Sequence, residues 1–262
     1  MKTVKLRNAT LNVVEVGSGP ILLLVHGFPL DHSMWQHQLE TLSDTYRVIA
    51  PDLRGFGAST GATDTMTMEQ LADDMAELLD ELDIREPITF CGLSMGGYVA
   101  WQFWKRHANR LSHLILCDTR AAADTEEGAR GRLGMAQRVL DEGTAIIADA
   151  MLPKLFAEKT AREQPDPVEA TRRVMLATAP ITVAGALRGM SKRADMTLEL
   201  PKIGVPTLVI CGEQDVIVPV AEMRSIAKAL PNATFVEVPD SGHMAPLEDP
   251  QTVNAAIRKF LA

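Results

Sequence analysis

Cysteine is scarce in this chain, and so is any long apolar run. The three cysteines, Cys91, Cys117 and Cys211, are odd in number and show no metal-ligand spacing. Each falls at the end of a strand-like segment, which makes them small buried hydrophobes rather than ligands or disulfide partners. The longest apolar stretch, Ile21 to Val25, is far short of the roughly 20 residues that cross a bilayer. The opening Met1–Arg7 alternates charged and apolar residues and has no apolar core of the signal-peptide kind, so a cytoplasmic protein is expected. An excess of positive charge is also missing. With 34 acidic and 26 basic residues the net charge is −8, which argues against nucleic acid or an anionic membrane as the main partner. Repeats and low-complexity tracts are absent, and nothing marks a linker to a second independent domain.

What is present is an ordinary globular composition, 46% hydrophobic and 23% charged over 262 residues, enough for one large α/β domain with a small insertion. Two alternating segments, 3–8 and 11–17, predict antiparallel strands. Ile21–Val25 and Arg47–Ala50 are continuous apolar runs of strand length, as expected where both faces of a sheet are covered. Thr67 is a candidate N-cap for a helix over 68–82, in which Leu71, Met75, Leu78, Leu79 and Leu82 recur at helical spacing. Residues 88–91 predict a strand, 97–107 a helix and 114–117 another strand. The alternation resumes with strands over 207–211 and 234–238 and helices over 220–230 and 250–261.

Between them, 119–200 has no strand signal. Alanine, methionine, arginine and glutamate dominate, and Gly143, Pro153, Pro165-Asp-Pro167 and Pro180 divide it into three or four expected helices. The expected division is a core of 1–118 and 201–262 carrying a helical cap over 119–200. The order of strands and helices implies a doubly wound, mostly parallel sheet, with ligands bound outside its carboxyl edge.

The chemistry centres on Gly92-Leu93-Ser94-Met95-Gly96, a G-x-S-x-G pattern set between the strand and the helix. A serine at such a turn needs glycine two residues either side, because no side chain fits there. A serine hydroxyl is a weak nucleophile until a histidine accepts its proton, and that histidine needs a carboxylate to fix its tautomer. Of six histidines, His32, His37, His107 and His113 are expected on solvated helical or helix-flanking positions, and His26 in a structural loop role. His243, beside Gly242 just past the last strand, is the candidate base. Asp215 is the candidate acid, with Asp118 and Glu213 as rivals. The oxyanion hole is assigned to the backbone N–H groups of Phe28 and Met95.

Taken together, His26-Gly-Phe-Pro29, Asp52-Leu-Arg-Gly-Phe-Gly57, the Ser94 pentapeptide, Gly212-Glu-Gln-Asp215 and Gly242-His243 resemble the α/β-hydrolases end to end. The nearest resemblance is to small bacterial carboxylesterases and 3-oxoadipate enol-lactonases. It implies a serine hydrolase that cleaves a small carboxylic ester or lactone through an acyl-enzyme, with no metal and no cofactor, acting as a monomer or small homo-oligomer. The alternatives are hydrolysis of a C–C bond in a ring-cleavage product, a perhydrolase- or haloperoxidase-like side activity (with which Pro29 is compatible), and a ligand-binding receptor built on a hydrolase pocket. Serine at the elbow argues against the epoxide hydrolases and haloalkane dehalogenases, which carry aspartate there.

Trp35 and Pro29 are the candidate substrate contacts in the core, while Trp101 and Trp104 are expected against the sheet. Cap residues Met135, Met151, Met175, Met190, Phe156 and Leu187 are candidates for an apolar acyl pocket. Among the basic residues Arg130, Arg132, Arg138, Arg172, Arg173, Arg188, Lys192 and Arg193, one is a candidate to meet a substrate carboxylate, and the rest are expected on solvated helix faces.

Overall fold

A computed structural model describes residues 1–262. Two antiparallel strands, β1 (Lys2–Lys5) and β2 (Thr10–Val16), precede β3 (Ile21–Val25). A 3₁₀ turn at His32–Trp35 leads into α1 (Gln36–Leu42), and β4 (Arg47–Pro51), α2 (Met68–Glu81), β5 (Ile88–Leu93), α3 (Met95–His107) and β6 (Leu111–Cys117) follow. Five helices then interrupt the sheet: α4 (Glu126–Glu142), α5 (Ala145–Leu155), α6 (Glu158–Glu163), α7 (Pro165–Ala177) and α8 (Pro180–Met190). β7 (Thr207–Gly212), α9 (Val220–Ala229), β8 (Ala233–Val238), α10 (Ala245–Glu248) and α11 (Pro250–Leu261) close the chain. No helix is long and apolar enough to cross a membrane.

The strands form one eight-stranded sheet in the order β1-β2-β4-β3-β5-β6-β7-β8. β2 runs antiparallel to β1 and β4, and every other pairing is parallel. The apolar run of β3 has a direct physical explanation. Side chains alternate across a strand, so Ile21, Leu23 and Val25 enter the core formed with α2 and α3, while Leu22 and Leu24 enter the one formed with α1 and α11. Both faces are covered, and no polar position is tolerated. The helix over 68–81 forms as its pattern dictates, with Thr67 accepting the Gln70 N–H and Leu71, Met75, Leu78 and Leu79 buried.

The helical insertion departs from expectation in one detail. Gly143 ends α4 at a φ of 88°, and Pro165 and Pro180 each open a helix, where a missing N–H costs nothing. Pro153, however, lies inside α5 near its end rather than breaking it; the chain breaks instead at Phe156-Ala157, ahead of the short α6, and five helices form where three or four were expected. β6 likewise starts three residues earlier than expected, which puts His113 on a strand against Phe260 and not on a helix.

The loops after β3 and β4 are held by buried ion pairs. Asp52 is fully buried and accepts four hydrogen bonds: from the His32 amide (2.8 Å) and ring Nδ1 (2.7 Å), from Asn12 Nδ2 (2.9 Å), and from the Ala58 amide (3.0 Å). His32 is therefore committed to a carboxylate and is not a solvated helix-flanking residue. Arg54 grips Asp74 of α2 in a two-pronged pair, both bonds at 2.5 Å. Burial alone would raise the Asp52 carboxyl, but the hydrogen bonds from His32 and Ala58 outweigh it and hold it at about 2.

Because that value lies below the ordinary one, the stabilisation is present above the unfolded pKa of 3.8 and is lost as pH falls from there toward about 2. A shift of this size corresponds to about 2 kcal/mol. Asp52→Asn is expected to lose about that much stability at pH 7, and to flatten the fall in stability between the unfolded value of 3.8 and about 2. Urea unfolding followed by tryptophan fluorescence across this range checks both effects.

Candidate functional site

The parallel register brings Val25, Leu93, Cys117, Gly212 and Val238 to one edge of the sheet, and the loops that follow them carry the candidate residues. At the end of β5 the chain reverses into α3 through Ser94, at φ 52° and ψ −108°. That backbone is strained for a residue with a side chain, and close contacts hold it. A Cβ on Gly92 would sit 2.3 Å from the Gly96 carbonyl oxygen, so strand and helix approach backbone to backbone. The Ser94 amide donates to Cys117 O (2.9 Å), and the Thr119 hydroxyl donates to Ser94 O (2.7 Å), which fastens the turn to the end of β6.

The loop after β3 presses on this turn. A Cβ on Gly27 would meet the Leu93 side chain at 2.7 Å and Ser94 Cβ at 3.6 Å. Its neighbour Phe28 thereby faces the same cavity as Ser94. The Phe28 amide forms no hydrogen bond in the loop network, and Met95 opens α3, where the first N–H groups have no partner one turn earlier. His26 anchors the loop from beneath. Its Nε2 accepts the Leu53 amide (3.0 Å), so its Nδ1 carries the proton and donates to Gly27 O (2.8 Å). Complete burial pushes its pKa down, which keeps the ring neutral.

Asp215 and His243 meet behind the serine. His243 Nδ1 donates to Asp215 Oδ2 at 2.7 Å, and the Ile217 and Val218 amides donate to Asp215 Oδ1 at 2.7 and 2.9 Å. With Nδ1 as donor, Nε2 of the neutral ring is an acceptor. His243 and Ser94 line the same cavity, and no hydrogen bond joins them in this structure. Of the rival acids, Glu213 is exposed and accepts the Asp240 amide. Asp118 is buried beside Asp215 but makes no bond to His243. Glu248, not anticipated from the sequence, receives the Gly242 and Ala157 amides, both at 2.8 Å, and so ties the His243 loop to the helical insertion. Burial raises its carboxyl.

The cavity holding Phe28, Ser94 and His243 measures about 210 Å³. Its remaining wall is both polar and apolar: Tyr98, Arg120, Asp124 and Arg132 on one hand, Met151, Met190 and Ile217 on the other. An adjoining cleft of about 390 Å³ shares Phe28, Arg132, Met151 and Ile217 with it and adds Met135, Leu187 and Val216. Asp124 is flanked by Arg132 and Arg193, each at 2.6 Å, and Arg193 lies 4.5 Å over the Tyr98 ring. Burial would raise the Asp124 carboxyl, but the two guanidinium groups bring it below its usual value. Arg120, two residues beyond Asp118 at the edge of the sheet, pairs with Glu222 at 3.2 Å.

Several expectations are corrected here. Trp35 is fully buried in the core between the sheet and α1, and Pro29 is also buried; neither lines the cavity. Trp35 points inward because it sits on the apolar side of the turn into α1, a facing that proximity in sequence does not reveal. Phe156 and Met175 are core residues, whereas Met135, Met151, Met190 and Leu187 do face the two clefts. Arg120, not among the sequence candidates, also lines the cavity; its place just past the end of β6 is the sequence signal for it. Two trios, Asp31/His32/Asp52 and Asp118/Asp215/His243, bring ligand-type atoms within 4.8 Å of one another. In the first, both Asp52 oxygens are already taken by hydrogen bonds within the protein.

Comparison with known proteins identifies the family. A family model described as the alpha/beta hydrolase fold matches residues 20–250. A thermophilic esterase from Thermogutta terrifontis, solved with malate bound, superposes with a TM-score of 0.97 at 44% identity, over 99% of this chain and 97% of that one. The enol-lactonase from Burkholderia xenovorans LB400 superposes at 0.92 with 31% identity, over 99% of both chains. The 3-oxoadipate enol-lactonase 2 of Acinetobacter baylyi is 29% identical over 261 residues, 99% of this chain and 96% of its own length. A strand-turn-helix serine, an aspartate–histidine pair on the neighbouring loops and a family match across nearly the whole chain lead to one assignment: this protein belongs to the α/β-hydrolase fold family.

Proposed function

We propose that the protein is a serine hydrolase of small carboxylic esters or lactones. Ser94 is the nucleophile, His243 the general base, Asp215 its carboxylate partner, and the Phe28 and Met95 N–H groups form the oxyanion hole. The observation that carries this reading is the 2.7 Å bond from His243 Nδ1 to Asp215, which leaves Nε2 free in the cavity that also holds Ser94. As Ser94 Oγ attacks the carbonyl carbon, His243 Nε2 takes its proton, and Asp215 stabilises the imidazolium. The carbonyl oxygen becomes an alkoxide stabilised by the two backbone donors. Collapse expels the alcohol, which takes the proton from His243, and water repeats the sequence on the acyl-enzyme. In this reading helices α4–α8 form a cap, because Arg132, Met151 and Met190 supply one wall of the cavity.

The wall also favours a substrate class. Arg120 and Arg132 line the cavity that also holds Ser94, which supports an ester or lactone that carries a carboxylate of its own. The esterase neighbour bound malate, a dicarboxylate.

Ser94→Ala is expected to lower kcat on p-nitrophenyl acetate by at least about 10³-fold, and to abolish labelling by a fluorophosphonate probe. Near-normal turnover in a pure preparation would refute the mechanism, and a wild-type protein that the probe does not label would favour a non-catalytic receptor. Arg132→Gln leaves Asp124 paired with Arg193 and removes one charge-assisted contact. It is expected to lower kcat/KM for a half-ester of a small dicarboxylic acid about tenfold, with little change for p-nitrophenyl acetate. Equal losses on both substrates would remove the carboxylate from the reading.

A further inference from the structure

Asp118, at the carboxyl end of β6, is buried completely and takes no part in the steps above. Its carboxyl group lies close to that of Asp215: ligand-type atoms of the two acids and of His243 all fall within 4.8 Å of one another. Asp118 Oδ1 accepts the Gly212 amide at 2.9 Å, while Oδ2 is buried and meets no donor. Asp215, by contrast, accepts three N–H groups, from Ile217, Val218 and His243.

Two carboxylates this close, shielded from water, do not both ionise. The donors decide which of them keeps the charge: three face Asp215 and one faces Asp118. Every other titratable group around Asp118 is neutral or already described. Cys117 on β6 is pushed up by its contact with Cys91 and by burial, and Cys211 on β7 by burial, so neither thiol adds charge. His243 faces the pair from the loop after β8. A buried oxygen that meets no donor, on a carboxyl group within 4.8 Å of another, is the place where a proton belongs.

We propose that Asp118 is the protonated half of a carboxylic acid–carboxylate pair, its Oδ2–H donated to Asp215, and that it is a positioning residue. It fixes the Asp215 carboxylate against His243 and confines the negative charge to that side. The proposal rests on the reading of Asp215 and His243 as partners of Ser94. Burial, and then the charge on Asp215, push the Asp118 carboxyl well above its ordinary value, in agreement with the contacts.

Asn in place of Asp118 has the shape of the protonated acid, with a carbonyl for the Gly212 amide and an N–H for Asp215. Leu has neither. Asp118→Leu is expected to lower kcat about tenfold, the loss that follows removal of a hydrogen bond to a charged group, and Asp118→Asn to restore most of it. The acid limb of kcat/KM should hold its place in Asp118→Asn. An ionised Asp118 would instead be stabilising the imidazolium, so its neutralisation would move that limb to lower pH by about one unit or more; that shift would overturn the proposal.

Infrared spectroscopy gives a readout independent of turnover. The wild-type protein should show the C=O stretch of a protonated carboxylic acid from pH 6 to pH 8, and its absence would overturn the proposal. Loss of the band in a folded Asp118→Asn assigns it, and its persistence there would place the proton elsewhere. If the band is present while Ser94→Ala stays active, the catalytic reading fails and the shared proton stands.

Discussion

Everything at the carboxyl edge of the sheet depends on how tightly the chain reverses at Ser94. A residue at φ 52° and ψ −108° persists only where its surroundings leave no other conformation. The contacts that enforce it are backbone contacts: Gly92 against the Gly96 carbonyl, the Ser94 amide on Cys117 O, and Thr119 on Ser94 O. The same closeness admits the Gly27 loop and so brings Phe28 beside the serine. A side chain on Gly92 or Gly27 would separate elements whose contact defines the site.

Around that turn the protein invests its buried polar groups in loops. Asp52 joins the loop after β4 to His32, Asn12 and Ala58, Arg54 ties it to α2 through Asp74, and His26 joins the loops after β3 and β4. Glu248 does the same between the His243 loop and the helical insertion. A buried polar group without a partner is costly, so each of these works as a geometric constraint. The strands alone would place the loops at one edge, and the networks fix how the loops sit there. Asp118 and Asp215 extend this logic: two acids share a space in which donor count assigns the charge.

The helical insertion meets the core with a different chemistry. Its share of the cavity wall combines methionines with Arg132 and Asp124 and leans on Tyr98 and Arg120 from the sheet side. Methionine adapts to irregular shapes, while the guanidinium groups are held by carboxylates at 2.6 Å and 3.2 Å. The result is a cavity with an apolar side that it shares with a second cleft and a side lined by paired charges.

The sequence by itself determined the sheet, its helices and the loops that bear the candidate residues. Those features are written locally, in apolar runs such as Ile21–Val25, in the Thr67 cap, and in glycines flanking Ser94. Candidate residues Ser94, Asp215 and His243 were legible because each follows a strand end, and the strand ends of a parallel sheet align. What only the tertiary structure decided was which neighbours share space across the chain. It bonded His243 to Asp215 and not to Asp118, turned Trp35 into the core and Arg120 toward the cavity, and engaged His32 with Asp52. Those outcomes depend on the direction of single side chains and on contacts between residues 20 to more than 90 positions apart, and spacing along the chain carries no record of either.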